Sequence, residues 1–180
     1  VCIEGDPDAL IAKLATYAID LVLTDAPRGA ELAVRAFDHL LGECGVTFFA
    51  RRDLAEQLSP EFPRSLDGAP MLLPTPIAAV RTALENWFQD LAIRPRGIAA
   101  FDDSALLKVF GATGTGVFAV PTAIEDQVAA QYAVHVVGRT EDVRERYYAI
   151  SVERRLQHPA VVAISEGARG RLFGAPPESA

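Results

Sequence analysis

The sequence contains no stretch of apolar residues long enough to cross a membrane, and it does not begin like an export signal. No window approaches the roughly 18 consecutive apolar residues of a membrane span. Residues 1–10, VCIEGDPDAL, do not place a charged segment before an apolar one. These absences predict a cytoplasmic protein that makes no contact with a membrane.

A block of basic residues is also missing. The 180 residues carry 17 Lys and Arg against 24 Asp and Glu, which gives a formal net charge of −7. Because a protein that holds nucleic acid needs a positively charged surface, we expect that this polypeptide does not bind DNA itself. A nucleic-acid function would require another segment.

Cysteine and histidine are scarce. The two Cys and three His show none of the spacings that are typical of a metal site, and two cysteines in a chain of this length do not make a disulfide framework. No serine lies in a GxSxG setting, and neither cysteine adjoins a histidine. We therefore expect no cofactor and no nucleophilic catalysis, and we predict that the chain is not an enzyme.

Apolar residues, by contrast, are plentiful. They make up 50% of the chain and charged residues only 23%, so a chain of 180 residues can bury a sizeable core. The exception is the end of the chain, residues 174–180, which we predict to be disordered. Because the sequence begins with Val1 and enters at once as a strand, we expect that more chain precedes it.

The first 70 residues begin with a β-α-β pattern. Residues 1–3 are interpreted as a strand, Asp6-Pro7-Asp8 as the start of a helix, and residues 20–25 as a strand. That last strand is apolar almost to its end, which is typical of a central parallel strand. Two further extended runs, a short helix and a turn region follow, and they are predicted at residues 33–50, 51–58 and 59–70 respectively.

A second series of strands and helices follows residue 70. The predicted strands are residues 71–73, 97–101, 116–120 and 133–137, and the predicted helices between them are residues 77–91, 104–110 and 123–130. A strand at 146–153 and a helix at 159–172 end the series. The predicted fold is therefore α/β in two lobes: residues 1–70 begin lobe I, residues 71–139 form lobe II, and residues 140–173 return to lobe I, which makes two crossings.

Three predicted helix starts suggest a binding cleft between the lobes. They lie at Thr75-Pro76, at Asp102-Asp103-Ser104, and at Pro121-Thr122, where Glu125 completes a capping-box pattern. Helix starts present unpaired N–H groups and the positive end of the dipole, so their convergence predicts a site for a small polar ligand or an ion. Each start taken alone is explained as well by an ordinary cap.

Adjacent carboxylates at the second of these starts leave two interpretations open. Asp102 and Asp103, together with Asp25 from lobe I, would give the oxygen-rich ligand set of a hard cation. Alternatively, one of the two caps the helix and the other is a solvated charge.

Six motifs, in order along the chain, give the sequence a family resemblance. They are LVLTDAP (21–27), GECGV (42–46), ENWF (85–88), FDDSALLKVFGA (101–112), FAVPT (118–122) and QHPAV (157–161). With them the chain resembles the effector-binding region of LysR-type transcriptional regulators, most closely the sodium-responsive NhaR group of activators. The resemblance implies a two-lobed, periplasmic-binding-protein-like (type II) fold with parallel or mixed sheets, and an effector between the lobes.

The resemblance also implies partners. It implies a homodimer or homotetramer, and DNA binding through an N-terminal helix-turn-helix that this sequence does not contain. The first βα unit of lobe I is missing as well. The remaining alternative is a free-standing solute-binding protein of the same fold.

The effector site that the resemblance implies can be placed by position. Its residues are Thr24, Asp25, Thr75, Pro76, Ile77, Phe101, Asp102, Asp103, Thr115 and Gly116. For the NhaR group the implied effector is Na⁺, and the implied ligands are Asp25, Asp102 and Asp103.

Overall fold

The computed structural model describes residues 1–27, 36–152 and 159–173. The helices in these ranges are α1 (Pro7–Ala15), α2 (Arg52–Leu58), α3 (Ala79–Asp90), α4 (Ser104–Ala112), α5 (Glu125–Tyr132) and α6 (Pro159–Gly167). The strands are β1 (Val22–Thr24), β2 (Phe37–Ala50), β3 (Pro70–Pro74), β4 (Arg96–Phe101), β5 (Phe118–Pro121) and β6 (His135–Ser151). Short 3₁₀ turns lie at Ser59–Glu61, Arg64–Leu66 and Thr122–Ile124, and a π-helical turn follows α6.

The strands form sheets of mixed direction. Four strands lie in the order β1-β6-β2-β5, with β1 antiparallel to β6 and β2 antiparallel to β5. The other two strands, β3 and β4, are parallel. A parallel bridge between Met71 and Val117 connects β3 to the residue before β5. The α/β class with mixed sheets is thus confirmed.

The chain divides into two compact units. Unit 1 consists of Val1–Glu43 with Arg146–Ala180, and unit 2 is Cys44–Glu145. Strands β2 and β6 each run from one unit into the other, so the chain crosses twice. The predicted lobe boundaries at residues 70 and 139 differ from this division. Residues 44–70 belong to unit 2, because buried side chains from Val46 to Ala69 pack in one core with Trp87 and Phe88 of α3.

Unit 1 packs α1 against its sheet. Ile11 and Leu14 of α1 are buried with Val22 of β1 and Ile150 of β6. The helix begins as the sequence predicts, because the Asp6 side chain accepts a hydrogen bond from the backbone N–H of Ala9 at 3.0 Å.

Unit 2 has a core on each face of β2. Phe48 and Phe49 are both completely buried, and as neighbours in a strand they face opposite sides. Phe48 packs with Trp87 and Phe88 of α3. Phe49 stacks on Phe118, in the cluster that also contains residues of α4 and α5. Strand β2 is therefore the centre of unit 2.

Two predictions at the start of the chain are wrong. Residues 1–3 contain no strand, and Ile3 is exposed. Strand β1 is short and antiparallel to β6, whereas the sequence predicted a central parallel strand. Val22 faces the core, but Leu23, on the opposite face, is 56% exposed. Only one face of this strand is covered, so its apolar composition is no sign of a central position.

Strands β2 and β6 were each predicted as two separate strands. Strand β6 joins the predicted strands at 133–137 and 146–153, because the polar stretch between them continues the strand with Val143 buried in its middle. Strand β2 likewise runs through residues 39–44. Residues 32–35, 153–158 and 174–180, which were also assigned from sequence, lie outside the described residues.

The apolar spacing in the last helix predicts that Val161, Ile164, Ala168 and Leu172 face the core. Val161 is buried as predicted, but Ile164 and Leu172 are almost half exposed and Ser165 is buried instead. Among the described residues, no helix is long and apolar enough to cross a membrane.

Candidate functional site

One edge of unit 2 collects the ends of three strands. Strands β3 and β4 are parallel, and β5 runs in the same direction, because the bridge between Met71 and Val117 is parallel. The ends of β3, β4 and β5 therefore lie at one edge, which we call the carboxyl edge and define by Thr75, Asp102 and Thr122. Helices α3, α4 and α5 each begin within a few residues of it. In α/β sheets this is where ligands bind.

Thr75 connects the first two strand ends. Its backbone N–H donates to the carbonyl of Phe101 at 3.0 Å, and its hydroxyl donates to Oδ1 of Asp102 at 2.6 Å. The predicted cap is wrong: the N-cap of α3 is Ala78, and it has no side-chain hydrogen bond. The hydroxyl of Thr75 bonds to Asp102 instead, because Asp102 follows β4, the strand that pairs with β3. Pro76 and Ile77 form the turn that follows, with Ile77 91% exposed.

The two adjacent carboxylates have different roles. Asp103 caps α4, because its Oδ1 accepts from the backbone N–H groups of Ala105 at 2.7 Å and Leu106 at 3.3 Å. Asp102 accepts from Thr75, and among the described residues no basic side chain pairs with it. Within the described part of the chain, Asp102 is thus a carboxylate at the carboxyl edge without a basic partner.

Two cations lie close to this edge, and each already has a partner. Arg81 donates to the carbonyl of Pro74 at 2.8 Å and to Glu85 at 2.6 Å. The amino group of Lys108 lies 3.3 Å from the hydroxyl of Ser104. Burial lowers the pKa of Lys108, and the nearby carboxylate of Asp103 acts in the opposite direction. Neither cation neutralises Asp102.

A buried polar network occupies the third strand end. The hydroxyl of Thr47, on β2, lies 3.1 Å from that of Thr122 and donates to Oε2 of Glu125 at 2.7 Å. Arg139, on β6, donates its Nε to the same Oε2 at 2.7 Å and its Nη2 to Oε1. These bonds to Arg139 are the main reason that the pKa of Glu125 is lowered, and the Thr47 bond lowers it further. The predicted capping box is wrong, because the N-cap of α5 is Ile124.

Sequence reasoning missed Thr47 and Arg139. Thr47 stands within the apolar run GVTFFA and Arg139 in a polar stretch, and neither carries a motif. A single polar residue in a strand that is otherwise buried was the one available signal, because such a group must find a partner.

Cys44 is at the start of unit 2, close to the same network. Burial is the main cause that raises the pKa of its thiol, while the backbone N–H groups of Ala123 and Thr122 act to lower it. A raised pKa keeps the thiol protonated, which agrees with the prediction that it is no nucleophile.

Thr115 and Gly116 lie at the opposite edge. Gly116 precedes Val117, whose N–H donates at 2.8 Å to the carbonyl of Pro70, the first residue of β3. The length of β5 therefore separates Gly116 from the carboxyl edge. The hydroxyl of Thr115 contacts that of Thr113 at 2.7 Å. The structure does not bring these two residues together with Thr75, Phe101, Asp102 and Asp103.

Thr24 and Asp25 belong to unit 1. They follow β1, and the hydroxyl of Thr24 accepts from the backbone N–H of Ala26 at 3.2 Å. The other eight predicted site residues belong to unit 2. Within residues 1–27, 36–152 and 159–173, no three His, Cys, Asp or Glu side chains are grouped as metal ligands. Asp102 and Asp103 thus offer only part of a cation's ligand set.

Comparison with known sequences identifies relatives. The model of the LysR substrate binding domain matches residues 2–172. The transcriptional activator protein NhaR of Escherichia coli (strain K12) is 33% identical over 172 residues, 96% of this chain and 56% of the relative. The same protein of Shigella flexneri matches with the same identity and coverage. The chain spans about half the length of these relatives, which are transcriptional activators and not enzymes.

Solved structures of low sequence identity share the fold. The effector binding domain of QuiR, in complex with shikimate, has a TM-score of 0.63 at 16% identity and covers 91% of this chain and 77% of its own. Vibrio fischeri DarR, in complex with DNA, has a TM-score of 0.67 at 20% identity, with coverage of 93% and 56%. HinK from Pseudomonas aeruginosa has a TM-score of 0.67 at 16% identity, and the match covers 96% of this chain and 59% of HinK. The fold is the two-lobed, periplasmic-binding-protein-like fold of such regulatory domains.

Proposed function

The chain belongs to the LysR substrate-binding domain family, and we propose that it senses a small effector on behalf of a transcriptional regulator. The observation that carries the proposal is the carboxyl edge of unit 2, where three helices begin within a few residues of strand ends and the side chains of Thr75 and Asp102 form a hydrogen bond. The similarity to transcriptional activators over 96% of the chain favours a regulator over a free-standing solute-binding protein.

The proposed site on unit 2 consists of Thr75, Pro76, Ile77, Phe101, Asp102 and Asp103. Thr24 and Asp25 of unit 1 remain predicted effector-binding residues. Thr115 and Gly116 are left out of the site, because they lie at the far end of β5.

An effector acts by binding one arrangement of the protein more tightly than another. Its differential affinity then shifts the population towards that arrangement, and the shift reaches a DNA-binding segment of the whole regulator. In the same proposal the whole regulator is a homodimer or homotetramer, and DNA contacts are made by that other segment, since this chain carries a net charge of −7.

Sodium is the specific effector that we propose to test first. The observation in its favour is Asp102, a carboxylate that accepts from one neutral hydroxyl and has no basic partner among the described residues. Hard cations take several oxygen ligands, and within unit 2 Asp102 and Asp103 with backbone carbonyls would supply them. An organic anion would meet a negative charge at this position instead.

Thermal unfolding of the full-length protein tests the proposal in NaCl, KCl and choline chloride at equal ionic strength. We expect NaCl to raise the melting temperature above the other two salts. Asp102→Asn should abolish the difference, whereas Asp90→Asn, which removes an exposed carboxylate at the end of α3, should keep it. Equal melting temperatures in the three salts would exclude sodium. The same measurement with shikimate, the ligand in the QuiR structure, then tests an organic acid as the effector.

A further inference from the structure

We propose that Thr47, Thr122, Glu125 and Arg139 couple the carboxyl edge to the two strands that cross between the units. We call these four residues the Thr47 clamp. The inference rests on the proposed function, because it assigns the route by which an effector at the carboxyl edge acts on the rest of the protein. The four side chains act as positioning residues and are not part of the proposed effector site.

The central hydroxyl of the clamp must both donate and accept. Thr47 is completely buried, and its hydroxyl has one proton, which it gives to Oε2 of Glu125. The Thr122 hydroxyl, at 3.1 Å, must then donate to Thr47. The order of donors is therefore fixed from Thr122 through Thr47 to Glu125. Loss of the central hydroxyl would break both bonds at once.

The carboxylate of Glu125 receives the rest of the clamp. Besides the Thr47 hydroxyl it accepts two N–H groups from the guanidinium of Arg139, and such forked pairs fix geometry. The Arg139 side chain is 55% exposed, so the ion pair alone contributes little to stability. The buried Thr47 donates a third hydrogen bond to this carboxylate, and that bond ties it to β2.

Two of the four residues lie on the strands that cross between the units. Thr47 is on β2, just after the crossing at residues 43 and 44, and Arg139 is on β6, shortly before the crossing at 145 and 146. Thr122 and Glu125 lie between the end of β5 and the start of α5. Strand β2 has β5 on one side and β6 on the other. The clamp therefore joins the start of α5 to both crossing strands.

Packing alone does not require a polar residue at position 47. The other residues of β2 from Val46 to Ala50 are apolar, and every one of them is completely buried. Valine has nearly the shape of threonine and would fill the same space without needing partners. Buried polar groups of this kind are retained in some proteins because they specify one arrangement. Here the arrangement is the position of α5 relative to β2 and β6.

Hydrogen–deuterium exchange of the full-length protein tests the clamp without any effector. Thr47→Val removes both hydrogen bonds of this hydroxyl and should raise amide exchange roughly tenfold or more in residues 43–47, 122–126 and 139–146. Thr47→Ser keeps the hydroxyl and should exchange like the wild type. Ser65→Ala removes another partly buried hydroxyl of unit 2, bonded to the carbonyl of Leu58, and should leave the three segments unchanged.

A transcription assay adds the functional readout. With the regulator's own promoter, Thr47→Val should lose most of the response to NaCl over KCl while its NaCl-dependent thermal shift persists, and Thr47→Ser should restore the response. A wild type without any NaCl response would refute the sodium proposal only, because the exchange experiment needs no effector. Unchanged exchange in the three segments, or a uniform rise across unit 2, would overturn the clamp. Should Thr47→Val not fold, Glu125→Gln takes its place with the same expectations.

Discussion

The two edges of the sheet in unit 2 are held together by different kinds of contact. At the carboxyl edge, side chains from different parts of the chain bond to each other, as Thr75 does with Asp102 and Thr47 with Glu125. At the opposite edge, glycines let backbones approach. A Cβ on Gly116 would lie 2.8 Å from the carbonyl oxygen of Pro70, and Gly114 has φ +86° beneath the guanidinium of Arg51.

This difference shows which edge can respond to a ligand. Hydroxyl and carboxylate groups at the carboxyl edge can exchange one partner for another, so a bound molecule can change the bonds between strands. Close backbone contacts have no alternative partner, and packed interiors resist small displacements. We call the opposite edge, at Thr115 and Gly116, the amino edge. We expect substitutions there to leave the response unchanged, and substitutions of Thr75 and Asp102 at the carboxyl edge to change the response with little effect on stability.

The largest effect should come from the amino edge. Gly116→Ala would place a methyl group against the Pro70 carbonyl, which is backbone and cannot turn aside, so we expect a loss of about 2–3 kcal/mol in the free energy of unfolding. Trp87 is the only tryptophan and is buried in unit 2, so urea unfolding followed by its fluorescence measures the loss. A Gly116→Ala protein of full stability would show that this edge is loosely packed.

Loss of the charge in the Thr47 clamp should have a smaller effect that depends on pH. Because the pKa of Glu125 is lowered in the folded protein, its charge stabilises fully above the unfolded value of about 4.3, and this is lost as the pH falls through the folded pKa. Glu125→Gln should therefore cost about 1 kcal/mol at neutral pH and progressively less below about pH 4. Urea unfolding at several pH values measures the difference, and one that stays constant down to acid pH would contradict the ion pair.

The two neighbouring carboxylates, Asp102 and Asp103, should differ in how much they contribute to the free energy of unfolding. Asp103→Ala removes the cap of α4 and should cost about 1 kcal/mol, whereas Asp103→Asn keeps an acceptor and should cost much less. Asp102→Ala, which removes no cap, should leave the free energy of unfolding within about 0.5 kcal/mol. If Asp102→Ala were the more destabilising of the two in thermal unfolding, the assigned roles would have to be exchanged.

The smallest change in the free energy of unfolding is expected when one threonine at each edge is substituted. Thr75→Val and Thr115→Val each remove one hydroxyl, at the carboxyl and the amino edge respectively, and each should change the free energy of unfolding by less than about 0.5 kcal/mol. Only Thr75→Val should weaken the response to NaCl in a transcription assay. A weaker response in the Thr115→Val protein would place the amino edge in the site.

The sequence predicted what depends on neighbours in the chain. The Asp6 and Asp103 caps are bonds over two or three residues, and they formed as expected. Thr75 and Thr122 also precede helices, but their hydroxyls bond to side chains 27 and 75 residues away. Such partners exist only once the strands are paired, so propensity could not reveal them.

Strand direction explains the other differences. The turn at Thr115 and Gly116 was assigned to the site by position in a family, and the parallel bridge between Met71 and Val117 puts it at the wrong end of β5. Likewise, β2 and β6 were divided because their polar stretches interrupt the apolar pattern. In each stretch one apolar residue is buried nonetheless, Leu41 in β2 and Val143 in β6.

The most direct test of the carboxyl edge is amide exchange of the full-length protein in KCl, in NaCl, and in KCl with shikimate. We predict that a bound effector protects residues 75–78, 101–106 and 122–126 and leaves residues 113–117 unchanged. Protection of residues 113–117 instead, or no protection of the carboxyl edge in any of the three solutions, would contradict the proposed site.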